Sequence, residues 1–420
     1  MKISLRHFCP LLAMITACTA PPKPLHRPAE FEPTAAVWLL WPNYDHSAGV
    51  PNAQATFDII EALLPYTKVK LVVPSDSILQ IVQARFKENN IPKDQLTMYQ
   101  FPYREFWARD MGPSFVIDEK GQLAVTDFNF SAWGYAPKGD SLAALDEKLD
   151  ERIAAVLKAP LRSSDIYTEG GDHEINGLGT IILTESVEMT RNPTMSLAQI
   201  EAEFKRMLGV SHFIWLKNGL REDDHTFTGP MKDAQGKPIY TVLTTNGHTD
   251  EYVRFVSPTT LLLAKADANS TDPIEQENAR RLEASYQILK QAKDQDGKPF
   301  TIIRIPLPYP IVKTMQPGDA VYDMISTFDY TDGSIFPKGK PVQVMAASSY
   351  LNFTIANGCV IMPKYWKEGA DISIKQRDEA AMAILQKAFP DKKIIPLDVL
   401  AVNLGGGGIH CITMNEPAVY

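Results

Sequence analysis

The strongest constraint on the fold is an alternation of strand and helix signals. It runs from about residue 34 to the end of the 420-residue chain, and no proline- or glycine-rich linker interrupts it. Val37-Trp38-Leu39-Leu40-Trp41-Pro42 is a short apolar run stopped by a proline. Residues 53–64 place apolar side chains at helical spacing, residues 69–73 are a β-branched run, and residues 77–87 are helical again. Leu142, Leu145, Leu149, Ile153 and Val156 fall on one face of a helix predicted over residues 140–157. Ser196, with Gln199 three residues on, reads as a capping box, and residues 273–292 and 377–389 are the remaining long amphipathic stretches. The pattern predicts an α/β fold in a single domain over residues 34–420. Each strand–helix unit is too small to bury a core alone, and one architecture that buries such a pattern fully is a ring of repeated units.

Five polar clusters punctuate the alternation, around Asp110, Glu169, His248, Asn352 and Cys411. They lie roughly 60 to 100 residues apart, as expected if one loop or strand end from each successive unit converges on a single centre. Cys411 follows the run Gly405-Gly406-Gly407-Gly408, which lets backbone approach a bound group closely. A cysteine attacks as its thiolate and needs a proton-transfer partner and a positioned electrophile. His248 and Asp250, two apart, would share one face of an extended strand as a proton-transfer and cation-binding pair. Asp110 precedes Met111-Gly112-Pro113 where a strand is expected to turn, and Glu169-Gly170-Gly171 reads as a strand-to-turn junction. For each cluster taken alone, a solvated turn or an internal Arg–Asp pair is the plainer reading; Cys359 sits in an apolar run and reads as structural.

Composition narrows the chemistry. The net charge is -8 and no Lys/Arg block appears, which argues against nucleic acid as a partner. Four cysteines lack metal-ligand or disulfide spacing, so neither a metal nor any other cofactor is expected, and the glycine run is not a dinucleotide or phosphate motif. At the N-terminus a short basic stretch, an apolar run from Phe8 to Ile15 and Thr16-Ala17-Cys18 read as a secretory signal over residues 1–18, too short to span a bilayer permanently. Ile15-Thr16-Ala17-Cys18 resembles a bacterial lipobox, with Cys18 as the lipidated residue. Residues 19–33 read as a proline-rich tether. The expectation is an exported protein of the periplasm or outer membrane, meeting the membrane only through an N-terminal lipid.

The motifs then take on a family likeness. Trp107-Ala108-Arg109-Asp110-Met111-Gly112-Pro113-Ser114-Phe115, Glu169-Gly170-Gly171, Arg191-Asn192-Pro193, Asn246-Gly247-His248-Thr249-Asp250, Ser349-Tyr350-Leu351-Asn352-Phe353 and Gly405-Gly406-Gly407-Gly408-Ile409-His410-Cys411-Ile412-Thr413 together resemble the agmatine deiminase family, which includes bacterial-type peptidylarginine deiminases. The resemblance runs collinearly from about residue 31 to 417 and implies the five-bladed α/β propeller (pentein fold) of guanidine-modifying enzymes. It implies Cys411 as nucleophile, Asp110 and Asp250 as the clamp on a planar cation, and His248 as acid and base with Glu169 supporting its charge. Asn352 and the backbone of Gly406, Gly407 and Gly408 would line the site, and Trp133 would pack over the substrate's tail or meet a cationic amine.

The implied reaction is hydrolysis of agmatine to N-carbamoylputrescine and ammonia through a thiouronium intermediate. Glu251-Tyr252 after the His-x-Asp also resembles protein arginine deiminases, so arginine in peptides is the rival substrate. An amidinotransferase and a non-catalytic, polyamine-binding surface lipoprotein are the alternatives of other classes. Residues 218–237, rich in glycine, proline and charge, are expected to form a surface excursion able to reshape the entrance. The oligomeric state is not fixed by any of these features.

Overall fold

A computed structural model describes residues 24–45, 51–137, 139–141 and 143–419. The expected signal over residues 1–18, with Cys18, therefore lies outside the described residues. Among those that are described, no helix is long and apolar enough to cross a membrane.

The strands in chain order are β1 (Thr34–Leu40), β2 (Lys68–Val73), β3 (Leu96–Gln100), β4 (Phe115–Ile117), β5 (Leu123–Asn129), β6 (Leu161–Tyr167), β7 (Glu174–Ile175), β8 (Thr180–Thr184) and β9 (His212–Leu216). There follow β10 (Met231–Lys232), β11 (Pro238–Thr241), β12 (Val253–Ser257), β13 (Thr260–Lys265), β14 (Thr301–Pro306), β15 (Val312–Met315), β16 (Val342–Met345), β17 (Thr354–Ile355), β18 (Cys359–Pro363), β19 (Lys393–Leu397) and β20 (Thr413–Pro417).

One unit recurs. β4 pairs antiparallel with β5, and β5 pairs parallel with β6 across a helical connection. The same antiparallel-then-parallel order holds for β7-β8-β9, β12-β13-β14 and β17-β18-β19. The fifth case joins distant parts of the chain: β20 runs antiparallel to β1, which pairs parallel with β2, and β2 with β3. A sixth sheet, in the order β10-β11-β16-β15, stands outside this pattern. The fold is thus mixed α/β and built from like units, as the alternation predicts.

Connecting helices follow their sequence signals. Asn52–Leu63 buries Ala55, Ile59, Ile60 and Leu63 at helical spacing against the β1–β2 sheet. Leu197–Leu208 carries the expected capping box, the Ser196 hydroxyl accepting from Gln199 N while Gln199 accepts from Ser196 N. Pro273–Gln291 starts with Asp272 accepting from Ile274 N. The helix predicted over residues 140–157 forms only as Leu149–Leu157. Its first half is tied into a loop because the Asp146 carboxylate accepts from Arg104 N at 2.7 Å, and Leu145 is left 44% exposed.

The tether expected over residues 19–33 also needs correction where it is described. His26 forms a two-way backbone bridge with Ile117, Arg27 N donates to Leu208 O, and Arg27 and Ala29 are buried. A proline-rich composition favours extended backbone, but here Glu30 anchors that backbone to Arg109, Arg254 and His410 beneath the centre of the molecule.

Candidate active site

The five polar clusters occupy equivalent places in the repeat. Asp110 precedes β4, Gly170–Asp172 precedes β7, His248 and Asp250 precede β12, Asn352 precedes β17 and Cys411 precedes β20. Each sits just before the antiparallel strand that opens a unit; the sixth sheet begins with no such cluster. One loop per unit thus delivers at least one polar group to a common centre, and the loop before β12 delivers two, His248 and Asp250.

The glycine run explains how Cys411 is presented. Gly406 has φ +117°, and a Cβ there would lie 2.0 Å from Leu243 O. A Cβ on Gly408 would come 2.5 Å from Asn352 Oδ1, so the loop closes onto that amide only without side chains. Asn352 Oδ1 accepts from His410 N at 2.8 Å, while Nδ2 donates to Cys411 Sγ at 3.1 Å and to Glu251 Oε1 at 2.8 Å. The sulfur is 3.6 Å from Asp250 Oδ2. Burial pushes the Cys411 thiol well up, and Asp250, Glu251 and Asp110 push the same way, so the free site holds a thiol.

Asp110 lies on the helical turn Ala108–Met111 rather than at a strand's turn. Its Oδ2 accepts from Trp133 Nε1 at 2.8 Å and its Oδ1 from Gly171 N at 3.0 Å. Burial raises its pKa to about 6, with His248 pulling against this and Asp250 adding to it. The strand expected to carry His248 and Asp250 is likewise a short 3-10 turn, Thr249–Glu251, with His248 leading into it. The turn wins because Asp172 accepts from Thr249 N and Asp223 from His248 N, which pulls the backbone out of any strand ladder. The two side chains still enter the same site.

His248 Nε2 is 3.2 Å from Glu169 Oε2, and Nδ1 is 3.6 Å from Asp110 Oδ1. Burial opposes its charge, yet Asp110, Glu169 and Asp250 outweigh burial and raise its pKa to about 10. Glu169 stays ionised: burial works against it, but Arg191 and His248 hold its pKa near 2. Arg191 Nε reaches both Glu169 oxygens, at 2.8 and 3.0 Å. Asp250 Oδ2 is held by His410 Nδ1 at 2.7 Å. Its Oδ1 is buried with no hydrogen-bond partner, and so is His248 Nδ1. Two polar atoms on opposite members of the cluster are therefore available to a ligand.

Trp133, Asn352, Gly407 and Gly408 join this cluster as expected. Ala132 and Trp133 both adopt left-handed backbone, φ 46° and 56°, a strain that the indole's bond to Asp110 offsets. A narrow cleft lined by Trp107, Asp110, Trp133, Leu243, Thr245, Gly405, Gly406 and Cys411 leads to the sulfur. Among the described residues, one group has metal-ligand spacing, and it is Asp250, Glu251 and Cys411 of this same site. Cys359 is buried in β18, where burial lifts its thiol to about 12.

Several supporting residues went unassigned in the sequence. Arg191, Asp172, Asp223, His410 and Glu30 are single charged residues without periodicity, and Arg191 and His410 were visible only as parts of longer motifs. Asp223 also corrects the surface excursion expected over residues 218–237. Its carboxylate accepts from Thr245 N, Gly247 N and His248 N, and its neighbours Leu220 and His225 are buried. The first half of the segment lies under the His248 loop as its scaffold, because three buried amides there need an acceptor, while Lys232 and residues 234–237 are exposed as expected.

Comparison with known proteins adds independent weight. The pattern that defines the Porphyromonas-type peptidyl-arginine deiminases matches residues 26–229 and 236–417. An agmatine deiminase of Pseudomonas aeruginosa is 31% identical over 398 residues, covering 93% of this chain and 95% of that protein. One of Medicago truncatula is 31% identical over 408 residues, covering 94% and 96%. The solved structure of the Enterococcus faecalis agmatine deiminase superposes with a TM-score of 0.72 at 27% identity, covering 94% of this chain and 96% of that one.

Proposed function

Because the chain belongs to the Porphyromonas-type peptidyl-arginine deiminase family, we propose that it hydrolyses a guanidino group, with agmatine as substrate and N-carbamoylputrescine and ammonia as products. The observation that carries this is the meeting of Cys411, Asp110, Asp250 and His248 around one narrow cleft, with Asp250 Oδ1 buried and without a hydrogen-bond partner. A planar cation with several N–H donors suits that arrangement. Its N–H groups bond to the two carboxylates, and its carbon faces the sulfur at near-attack range.

The free site holds a thiol, and the same carboxylates that keep it protonated attract the guanidinium. Once bound, the substrate's positive charge offsets Asp110, Asp250 and Glu251, so the thiol loses its proton to solvent and attacks the guanidinium carbon. His248, charged up to about pH 10, protonates the departing nitrogen, which leaves as ammonia. The C–N bond breaks and a thiouronium remains on Cys411. Neutral His248 then takes a proton from water, the resulting hydroxide adds to the same carbon, and the C–S bond breaks to give the ureido product. Glu169, fixed by Arg191, keeps His248 oriented and favours its charge. Trp107 and Trp133 flank the path of the aliphatic chain.

We further propose that the five like sheets stand as blades around this centre in a single domain. The pairing of β20 with β1 and the equivalent placement of the five loops support that arrangement. Export and lipidation at Cys18 remain proposals carried by the N-terminal motif. Incorporation of labelled palmitate into the wild type and its loss in Cys18→Ala would bear them out.

The test of function measures ammonia and ureido product from agmatine, free arginine and an arginyl peptide. Turnover is expected on agmatine and to be absent in Cys411→Ser. Turnover confined to the peptide would reassign the substrate, and undiminished turnover by Cys411→Ser would overturn the mechanism.

A further inference from the structure

Asp250 must present Oδ1 to the substrate while lying 3.6 Å from the sulfur through Oδ2. A carboxylate on a single bond can rotate between its two oxygens, so something has to fix it. That role falls to His410, the residue next to the nucleophile, whose Nδ1 is 2.7 Å from Asp250 Oδ2. His410 is itself held from behind. Its Nε2 lies 2.9 Å from both oxygens of Glu30, and Glu30 is bound on its other flanks by Arg109 and by Arg254 Nη2 at 2.7 Å.

Both imidazole nitrogens therefore face carboxylate oxygens, and each contact needs a proton between its atoms. Burial, with the nearby Arg109 and Arg254, outweighs Glu30 and Asp250 and lowers the His410 pKa from its ordinary value. These four charged residues surround the ring. Glu30 belongs to neither of the loops that carry the nucleophile and Asp250; it comes from the segment ahead of β1.

We propose that Glu30 is a positioning residue for the reaction: acting through His410, it holds Asp250 with Oδ2 tied back and Oδ1 facing the substrate. The reading rests on the deiminase function above. Glu30 touches no reacting atom, so its contribution is geometric and electrostatic, relayed over one imidazole. The segment ahead of β1 thereby completes the active site.

The experiment is a double-mutant cycle with Glu30→Gln and His410→Asn, on full-length protein assayed with agmatine. Rates are normalised to the fraction of protein that unfolds cooperatively on heating, so misfolded molecules do not count. Asn at 410 keeps a donor for Asp250 but offers nothing to Glu30. Glu30→Gln is expected to lower kcat per folded molecule by roughly 10- to 100-fold, the scale of a small misplacement of a reacting group. Its pH profile should differ from that of the wild type on the acid side, because the already lowered His410 pKa falls further when a negative neighbour is removed.

In the His410→Asn background, adding Glu30→Gln should have little further effect, and Glu32→Gln in the same segment should leave the wild-type rate unchanged. Multiplicative losses in the double variant, or a Glu30→Gln enzyme with the wild-type rate and pH profile, would overturn the proposal. Either result leaves wild-type deimination intact, so it is distinguishable from failure of the functional reading, in which the wild type itself would not act on agmatine.

Discussion

Glu169 and His248 show how burial and pairing compete at one pair of side chains. Glu169 has its pKa lowered from 4.5 to about 2, so the stability it contributes is full above about pH 4.5 and is lost as pH falls towards 2. His248 is raised from 6.5 to about 10, so its contribution is full below about pH 6.5 and disappears as pH climbs through 10. Replacing Glu169 by Gln strands the Arg191 guanidinium and should cost about 3–5 kcal/mol near neutral pH. Urea denaturation across pH should show that difference constant from about pH 5 to 6.5 and shrinking below pH 4.5. A pH-independent difference would mean that the ion pair is not what Glu169 provides. The identities of Cys411, His248, Asp250, Asp110 and Glu169 were legible because each lies in a motif. Asp223 and Glu30 were not, because a lone acid looks the same in sequence whether it is solvated or buried beneath a loop.

Among the elements, the short turn Gly170–Asp172 is the most tightly specified. A Cβ on Gly171 would sit 2.5 Å from His248 Nδ1, 2.7 Å from Asp110 Oδ1 and 3.2 Å from Asp250 Oδ2. Those are atoms of the proposed acid–base group and of both clamping carboxylates. Gly171→Ala should therefore leave the fold cooperative in thermal unfolding while lowering kcat/KM for agmatine by roughly 100-fold or more, since the clamp has to open. Wild-type kinetics in this variant would place the substrate elsewhere. Sequence marked this junction correctly but assigned His248 and Asp250 to a strand, since a spacing of two fits an extended chain and a tight turn alike. The carboxylates of Asp172 and Asp223, accepting from backbone amides of the turn, decide between them, and those partners are 77 and 25 residues away.

At the scale of the whole molecule, repetition was readable as alternation, and the placement of one polar loop per unit was readable as spacing. What composition misjudged was the edge of the fold. Proline-rich residues ahead of β1 look like a spacer, yet their backbone pairs with Ile117 and donates to Leu208, and Glu30 among them meets Arg109, Arg254 and His410. Removing residues 1–23 should preserve turnover of agmatine, and removing residues 1–33 should abolish it. Equal activity in the two truncated proteins, measured by ammonia release, would return this segment to the role of a spacer.

The pairing of β1 with β20 has a consequence for biogenesis. The earliest strand to emerge from the ribosome finds its antiparallel neighbour only after the stretch that carries the nucleophile has followed it out. A polypeptide that ends before Cys411 lacks both its nucleophile and β20, so it keeps an open seam and cannot turn over a guanidino compound.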